Sequence, residues 1–161
     1  MRALGIWMNG LRVGRWEISR TGAHSLVYDP GWLASEHVRP LSLSLPFTPD
    51  LRVTGEVVEN FFDNLLPDYT DIRKRIRQRY GLRKSDVFTL LEAIGRDCVG
   101  AVQLLPEGVE PDGFDQIRGQ QLDEAAISTH LSSLGASFGS LDTDVDFRIS
   151  IAGAQEKTAL L

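Results

Sequence analysis

Asn9-Gly10, set between two alternating apolar runs, constrains this chain more tightly than any other local feature. The pair supplies both left-handed backbone positions of a type I′ turn, which closes a two-residue hairpin. Ala3 to Met8 forms the first strand, and Leu11 to Ile18 the second through Leu11, Val13, Trp16 and Ile18. Thr21-Gly22 makes another turn and Leu26-Val27-Tyr28 a third strand, so residues 3–29 read as an antiparallel meander. Asp29-Pro30 fits an N-cap followed by proline at the first helical position, opening a short helix through Trp32 and Leu33. Leu41, Leu43 and Leu45 alternate with Ser42 and Ser44 before Pro46, a pattern that predicts a half-buried strand.

The middle of the chain changes period. Val57, Val58, Phe61, Phe62, Leu65 and Leu66 recur at helical spacing, Thr54-Gly55-Glu56 can cap the start, and Pro67 closes the segment. A second helix runs from Asp68 to Tyr80 with Ile72, Ile76 and Tyr80 on one face and Gly81 as its stop. Ser85-Asp86 opens a third, with Val87, Leu90, Leu91 and Ile94 inward and Gly95 at its end. Ala101 to Leu105 returns to strand, Pro106 to Gly119 reads as a surface excursion, and Gln121 to Leu134 offers a fourth helix. The polar connector Gly135 to Asp146 is the expected domain boundary, dividing residues 1–140 from 141–161. Strands, then helices, then strands predict an α+β fold, an antiparallel sheet packed with a helical segment.

At 161 residues the chain suits one domain, or one domain plus part of another, and 42% hydrophobic content argues against global disorder. No apolar stretch approaches the ~18 residues that span a bilayer, and MRALGIWMNG lacks the apolar core and cleavage site of a signal peptide. No membrane partner is therefore expected. The single cysteine, Cys98, excludes an internal disulfide, fits a cytoplasmic location and reads as a small buried hydrophobe. A net charge of −5 gives no global drive toward nucleic acid.

Several constellations could carry chemistry. The apolar run at Phe147–Ile151 breaks into Ala152, Gly153, Ala154, Gln155, Glu156 and Lys157 before Thr158 resumes a strand. Small side chains let backbone N–H groups approach an anion, and a lysine at the loop's exit supplies a point charge. The same residues also serve simple turn chemistry, and neither the Walker nor the ordinary kinase glycine pattern is matched. Ser150 either faces the wet side of a sheet or accepts a phosphoryl group. The added ~1.5–2 negative charges would then repel nucleotide phosphates. Asp63 and Asp68 invite an acid–base reading, although helix termination by Asn64 and Pro67 accounts for the segment. Arg73, Lys74, Arg75, Arg77, Arg79, Arg83 and Lys84 form a basic run that reads as a solvated face, with phosphate contacts as the alternative. His24, His37 and His130 show no metal-ligand spacing, and Trp7, Trp16 and Trp32 read as core or interface anchors.

Taken in series, PLSLSLP (40–46), FFDNLLPD (61–68), IGRDCVGAVQLLPE (94–107) and FRISIAGAQEKTALL (147–161) resemble the N-terminal part of HipA-type toxin kinases. These are serine/threonine-protein kinases of bacterial type II toxin–antitoxin pairs. The resemblance runs in order along nearly the whole chain, leaving residues 108–145 uninformative. It implies that Ser150 is an autophosphorylated serine and an off-switch, and that Ala152, Gly153, Ala154, Gln155, Glu156 and Lys157 form an ATP-covering loop. It also implies ATP and Mg2+ as cofactors of a longer parent and a HipB-like helix-turn-helix antitoxin as partner. Operator DNA is then reached through the antitoxin, and the protein substrate is one such as glutamyl-tRNA synthetase.

The chain departs from the family in lacking the catalytic and metal-binding aspartates that would follow. Phosphoryl transfer needs metal, γ-phosphate and acceptor held in line. The expectation is a front portion of a toxin, inert alone, with residues 141–161 as the start of the kinase N-lobe. The alternative is a non-catalytic antitoxin- or kinase-binding module of a split system.

Overall fold

The computed structural model describes residues 1–96, 98–113, 116 and 121–136. Strands β1 (Arg2–Met8) and β2 (Leu11–Ile18) pair antiparallel across Asn9 and Gly10, whose φ angles of 48° and 78° are those a type I′ turn requires. Strands β3 (His24–Tyr28), β4 (Arg52–Thr54) and β5 (Val102–Pro106) complete a five-stranded antiparallel sheet in the order β4-β3-β2-β1-β5. Helices α1 (Pro30–Leu33), α2 (Glu56–Asp63), α3 (Thr70–Arg79), α4 (Val87–Ile94) and α5 (Glu124–Ala136) fill the intervals and follow the last strand. The architecture is α+β, as the order of periods predicts.

Register decides which face is apolar. Leu4 stands opposite Trp16, Trp16 opposite Leu26, and Leu26 opposite Val53, while Ile6 faces Leu104 across β5. This row forms one face of the sheet, and α2 and α4 close over it. The Trp16 ring stacks on Phe62 at 4.0 Å and meets Phe88 at 4.7 Å, all three side chains being fully buried. The register slips between Ile6 and Trp7, leaving Val13 as an extra residue of β2. Just beyond it, Gly14 lies so close to β3 that a Cβ would overlap the Val27 carbonyl.

Helix ends follow local chemistry. The Asp29 carboxylate accepts from Gly31 N, with Pro30 at the first helical position, and the Asp86 carboxylate accepts from Thr89 N to begin α4. Asp123 starts α5 in the same way through Ala126 N. Gly81, with φ at 60°, stops the turn after α3.

Four expectations are corrected. Residues 40–46 form no strand: Leu45 N bonds back to Ser42 O and Ser44 N to Ser42 Oγ, so the serines close a turn instead of lining a sheet face. Thr54 is not part of a helix cap; it ends β4, and Gly55 N extends that pairing by donating to His24 O. Helix α2 ends at Asp63 with Asn64 as its C-cap, so Leu65 and Leu66 follow the helix. Gly135, assigned to the connector, is helical in α5, and the remainder of the 137–146 boundary lies outside the described residues.

The consecutive phenylalanines divide as helical geometry requires, Phe62 being 0% exposed and Phe61 only half-buried. Phe62→Ala is expected to cost about 3–5 kcal/mol and Phe61→Ala clearly less. Urea melts followed by Trp16 fluorescence check both. A loss below about 1 kcal/mol for Phe62→Ala would remove α2 from the core.

Candidate functional site

Ser150, Ala152, Gly153, Ala154, Gln155, Glu156 and Lys157 all lie outside the described residues. The described residues offer two polar corners and one unusual strap.

Asp63 and Asp68 do come to one place, an open concavity of about 400 Å³ that Thr70, Arg73, Lys74 and Ser85 also line. Asp63 is tied there into an ion pair that joins two helices. Asp63 Oδ1 accepts from Arg73 Nη1 at 2.5 Å, and Arg73 Nε donates to Pro67 O at 2.6 Å. One guanidinium thus joins the end of α2, the Pro67 corner and α3. Lys74 is similarly engaged by Asp71 at 3.0 Å, a hydrogen bond that holds the Asp71 carboxyl below its usual range. The segment terminates a helix and clamps the next one, which is the plain reading of its sequence.

A second polar cluster occupies the opposite face of the sheet. Glu17 is only 2% exposed, yet its carboxylate meets Arg15 Nε at 2.6 Å, Arg52 Nη1 at 3.0 Å and Ser25 Oγ at 3.3 Å. Arg52 Nη1 also donates to Ser25 Oγ. A buried carboxylate survives only with such partners. The Arg-x-Glu spacing of β2 puts Arg15 and Glu17 on one face, but the approach of Arg52 depends on β4, which has no local signature.

The strap is residues 34–47, held by the polar atoms of two buried aromatics. Trp32 Nε1 donates to Arg39 O at 2.8 Å. Tyr28 OH donates to Leu45 O at 2.5 Å and accepts from Leu41 N at 3.0 Å. Phe47 packs edge-on against the Tyr28 ring. Between those anchors Leu45 is buried, whereas Leu43, at the turn's apex, is 96% exposed. His37 lies exposed on the strap. His24 instead accepts from Trp16 Nε1 through Nδ1 at 3.2 Å and points Nε2 at Glu59. Cys98 is buried, as read from its sequence context. The tryptophans serve as core anchors: Trp16 and Trp32 in the main core and Trp7 on the opposite face. No described helix is long and apolar enough to cross a membrane.

Comparison with known proteins places this architecture. A family model described as HipA N-terminal domain matches residues 4–105, which take in nearly all of the five-stranded sheet. Putative kinase Y4mE of Sinorhizobium fredii is 36% identical over 164 residues, covering 100% of this chain and 38% of that protein. Putative kinase Y4dM of the same organism is 31% identical over 129 residues, or 76% of this chain and 31% of that protein. A solved complex of HipA, HipB and operator DNA from Shewanella oneidensis MR-1 has a chain similar at a TM-score of 0.60 and 22% identity. The likeness covers 93% of this chain and 33% of that one, and it shows the fold alone. The chain spans well under half the length of these relatives.

Burial pushes the Tyr28 hydroxyl above its ordinary value of 10.0, partly opposed by the Leu41 N–H. The unfolded chain therefore ionises first, so this contribution is complete below pH 10 and fades as pH rises through the folded value. Tyr28→Phe leaves Leu41 N and Leu45 O without their partner and is expected to cost about 1–3 kcal/mol. It should also flatten the alkaline loss of stability, which thermal melts at neutral and alkaline pH would reveal.

Proposed function

The chain belongs to the HipA N-terminal domain family, and from that membership we propose that it is the front segment of a HipA-like toxin. The parent is a serine/threonine-protein kinase, neutralised by a helix-turn-helix antitoxin and acting on translation through a target such as glutamyl-tRNA synthetase. The observation that carries this reading is the family match over residues 4–105 followed, in the expected order, by FRISIAGAQEKTALL. The kinase names of Y4mE and Y4dM support the activity, and the HipA complex with HipB and operator DNA supports the antitoxin partner.

In this reading Ala152 to Lys157 cover the ATP phosphates, with small residues admitting backbone N–H groups and Lys157 supplying charge. ATP and Mg2+ belong to the parent. Phosphorylation of Ser150, close to that loop, adds negative charge beside the nucleotide and turns the enzyme off. The catalytic and metal-binding aspartates, like the nucleotide, belong to the parent.

A second reading is favoured by one feature: residues 2–106 supply all five strands of the described sheet and the helices packed on its core. Such a unit suits a non-catalytic module that binds an antitoxin or a separate kinase subunit.

Incubation with radiolabelled ATP and magnesium is expected to leave the 161-residue chain unlabelled. A polypeptide extended by the kinase body should label at Ser150, and Ser150→Ala should abolish that signal. Incorporation into the short chain, or undiminished labelling of the Ser150→Ala form, would overturn the assignment.

A further inference from the structure

We propose that the Ser42–Leu45 turn is a docking knob. Its Leu43 side chain inserts into an apolar, uncharged pocket on the body that the longer relatives carry outside the segment matched by this chain. The proposal rests on the reading of the chain as the front segment of such a protein.

Leu43 is 96% exposed, but it is not a loose loop residue. Tyr28 OH ties both shoulders of the turn, at Leu41 N and Leu45 O, and the Ser42 and Ser44 hydroxyls lie 2.9 Å apart across its neck. The side chain is presented with its backbone already ordered, which lowers the entropy lost when a partner closes on it. An exposed single leucine is ordinary on a surface; one displayed at the apex of a braced turn is a different matter.

The surroundings indicate the occupant. Residues 40–49 contain no charged side chain, in a chain that is 24% charged. Further apolar surface belongs to the same region. Val38, on the strap, is 43% exposed, and Leu11, 40% exposed, lines a small concavity with Met8, Asn9, Trp32, His37 and Arg39. Permanent interfaces resemble a divided core, whereas exchanging partners meet through more polar surfaces. The permanent neighbour available to this domain is the rest of the longer chain, since 38% of Y4mE and 33% of the HipA chain are matched.

The test is a chimera in which this chain replaces the aligned segment of Putative kinase Y4mE, made as wild type, Leu43→Asp and Leu43→Met. In the separate 161-residue chain, Leu43→Asp should leave the thermal midpoint unchanged. In the chimera, wild type and Leu43→Met should unfold as one unit. Leu43→Asp should split unfolding into two transitions and raise protease cleavage between the bodies about 10-fold or more. A single unaltered transition with unaltered cleavage in the Leu43→Asp chimera overturns the proposal. So does a wild-type chimera whose two bodies already melt apart, or a lowered midpoint for Leu43→Asp in the separate chain. Loss of antitoxin capture with docking intact assigns the knob to the antitoxin and overturns it too. ATP labelling of the same chimera reports independently: failure to label with docking intact sinks the kinase reading and leaves the knob standing.

Discussion

The Trp16 indole lies between Phe62 of α2 and Phe88 of α4, and this stack governs how the helices can sit on the sheet. Its strand partners, Leu4 and Leu26, come from the neighbouring strands on each side. One side chain therefore touches the centre of the sheet and both covering helices. Each aromatic pair adds about 0.5–1.5 kcal/mol beyond the area it buries. The indole N–H is spent on His24 Nδ1, which ties the start of β3 into the same cluster. Trp16 thus joins the apolar faces of α2 and α4, which also pack directly on one another.

The strap follows from the same use of aromatic side chains. Tyr28 and Trp32 bury their rings in the core and spend their polar atoms on backbone groups of residues 39–45. A long connection between α1 and β4 is thereby held by two side chains rather than by secondary structure. Buried polar tips need partners, and the strap supplies them; in return Arg39 O, Leu41 N and Leu45 O are satisfied. The arrangement leaves Leu45 inside and Leu43 outside on one short turn.

How much of this was legible depends on whether the determining interaction is local. The Asn9-Gly10 hairpin, the Asp29-Pro30 and Asp86 caps and the Gly81 stop each arise within a few residues, and the sequence predicts them in place. Strand β4 is three residues long and exists because Val53 pairs with Leu26, a partner far away in the chain. No local period could announce it. The Leu-Ser alternation at 41–45 misleads for the opposite reason. It carries a genuine strand period, but serine hydroxyls two residues apart close a turn once Tyr28 holds its shoulders. Among the candidate site residues, Asp63 and Asp68 stand five apart around a helix end and need not converge from sequence alone. That they line one concavity, and that Arg73 pairs with Asp63, both depend on how α3 returns to the end of α2. The reading of Ser150 and of residues 152–157, which lie outside the described residues, rests on the family resemblance, because small residues of turn type have no unique chemistry.

The two faces of the sheet meet different physical demands. On the helix-covered face, apolar rows from all five strands are closed by the chain's own side chains. On the other, the β2–β4 end is polar, with Glu17 covered by Arg15, Arg52 and Ser25. The β1–β5 end of that face is apolar instead: Leu105 pairs with Gly5, and the Trp7 indole lies over the bare Gly5 backbone where a Cβ would collide with Nε1. A glycine at that position is thus a packing requirement of Trp7 rather than a turn signal. The Glu17 cluster imposes a matching requirement on β4, because a carboxylate so deeply buried would carry a desolvation cost that Arg15 alone leaves partly uncompensated. Arg52 is positioned by the Val53–Leu26 pairing, so the shortest strand of the sheet, formed for apolar reasons on one face, also brings a second guanidinium to the buried carboxylate on the other.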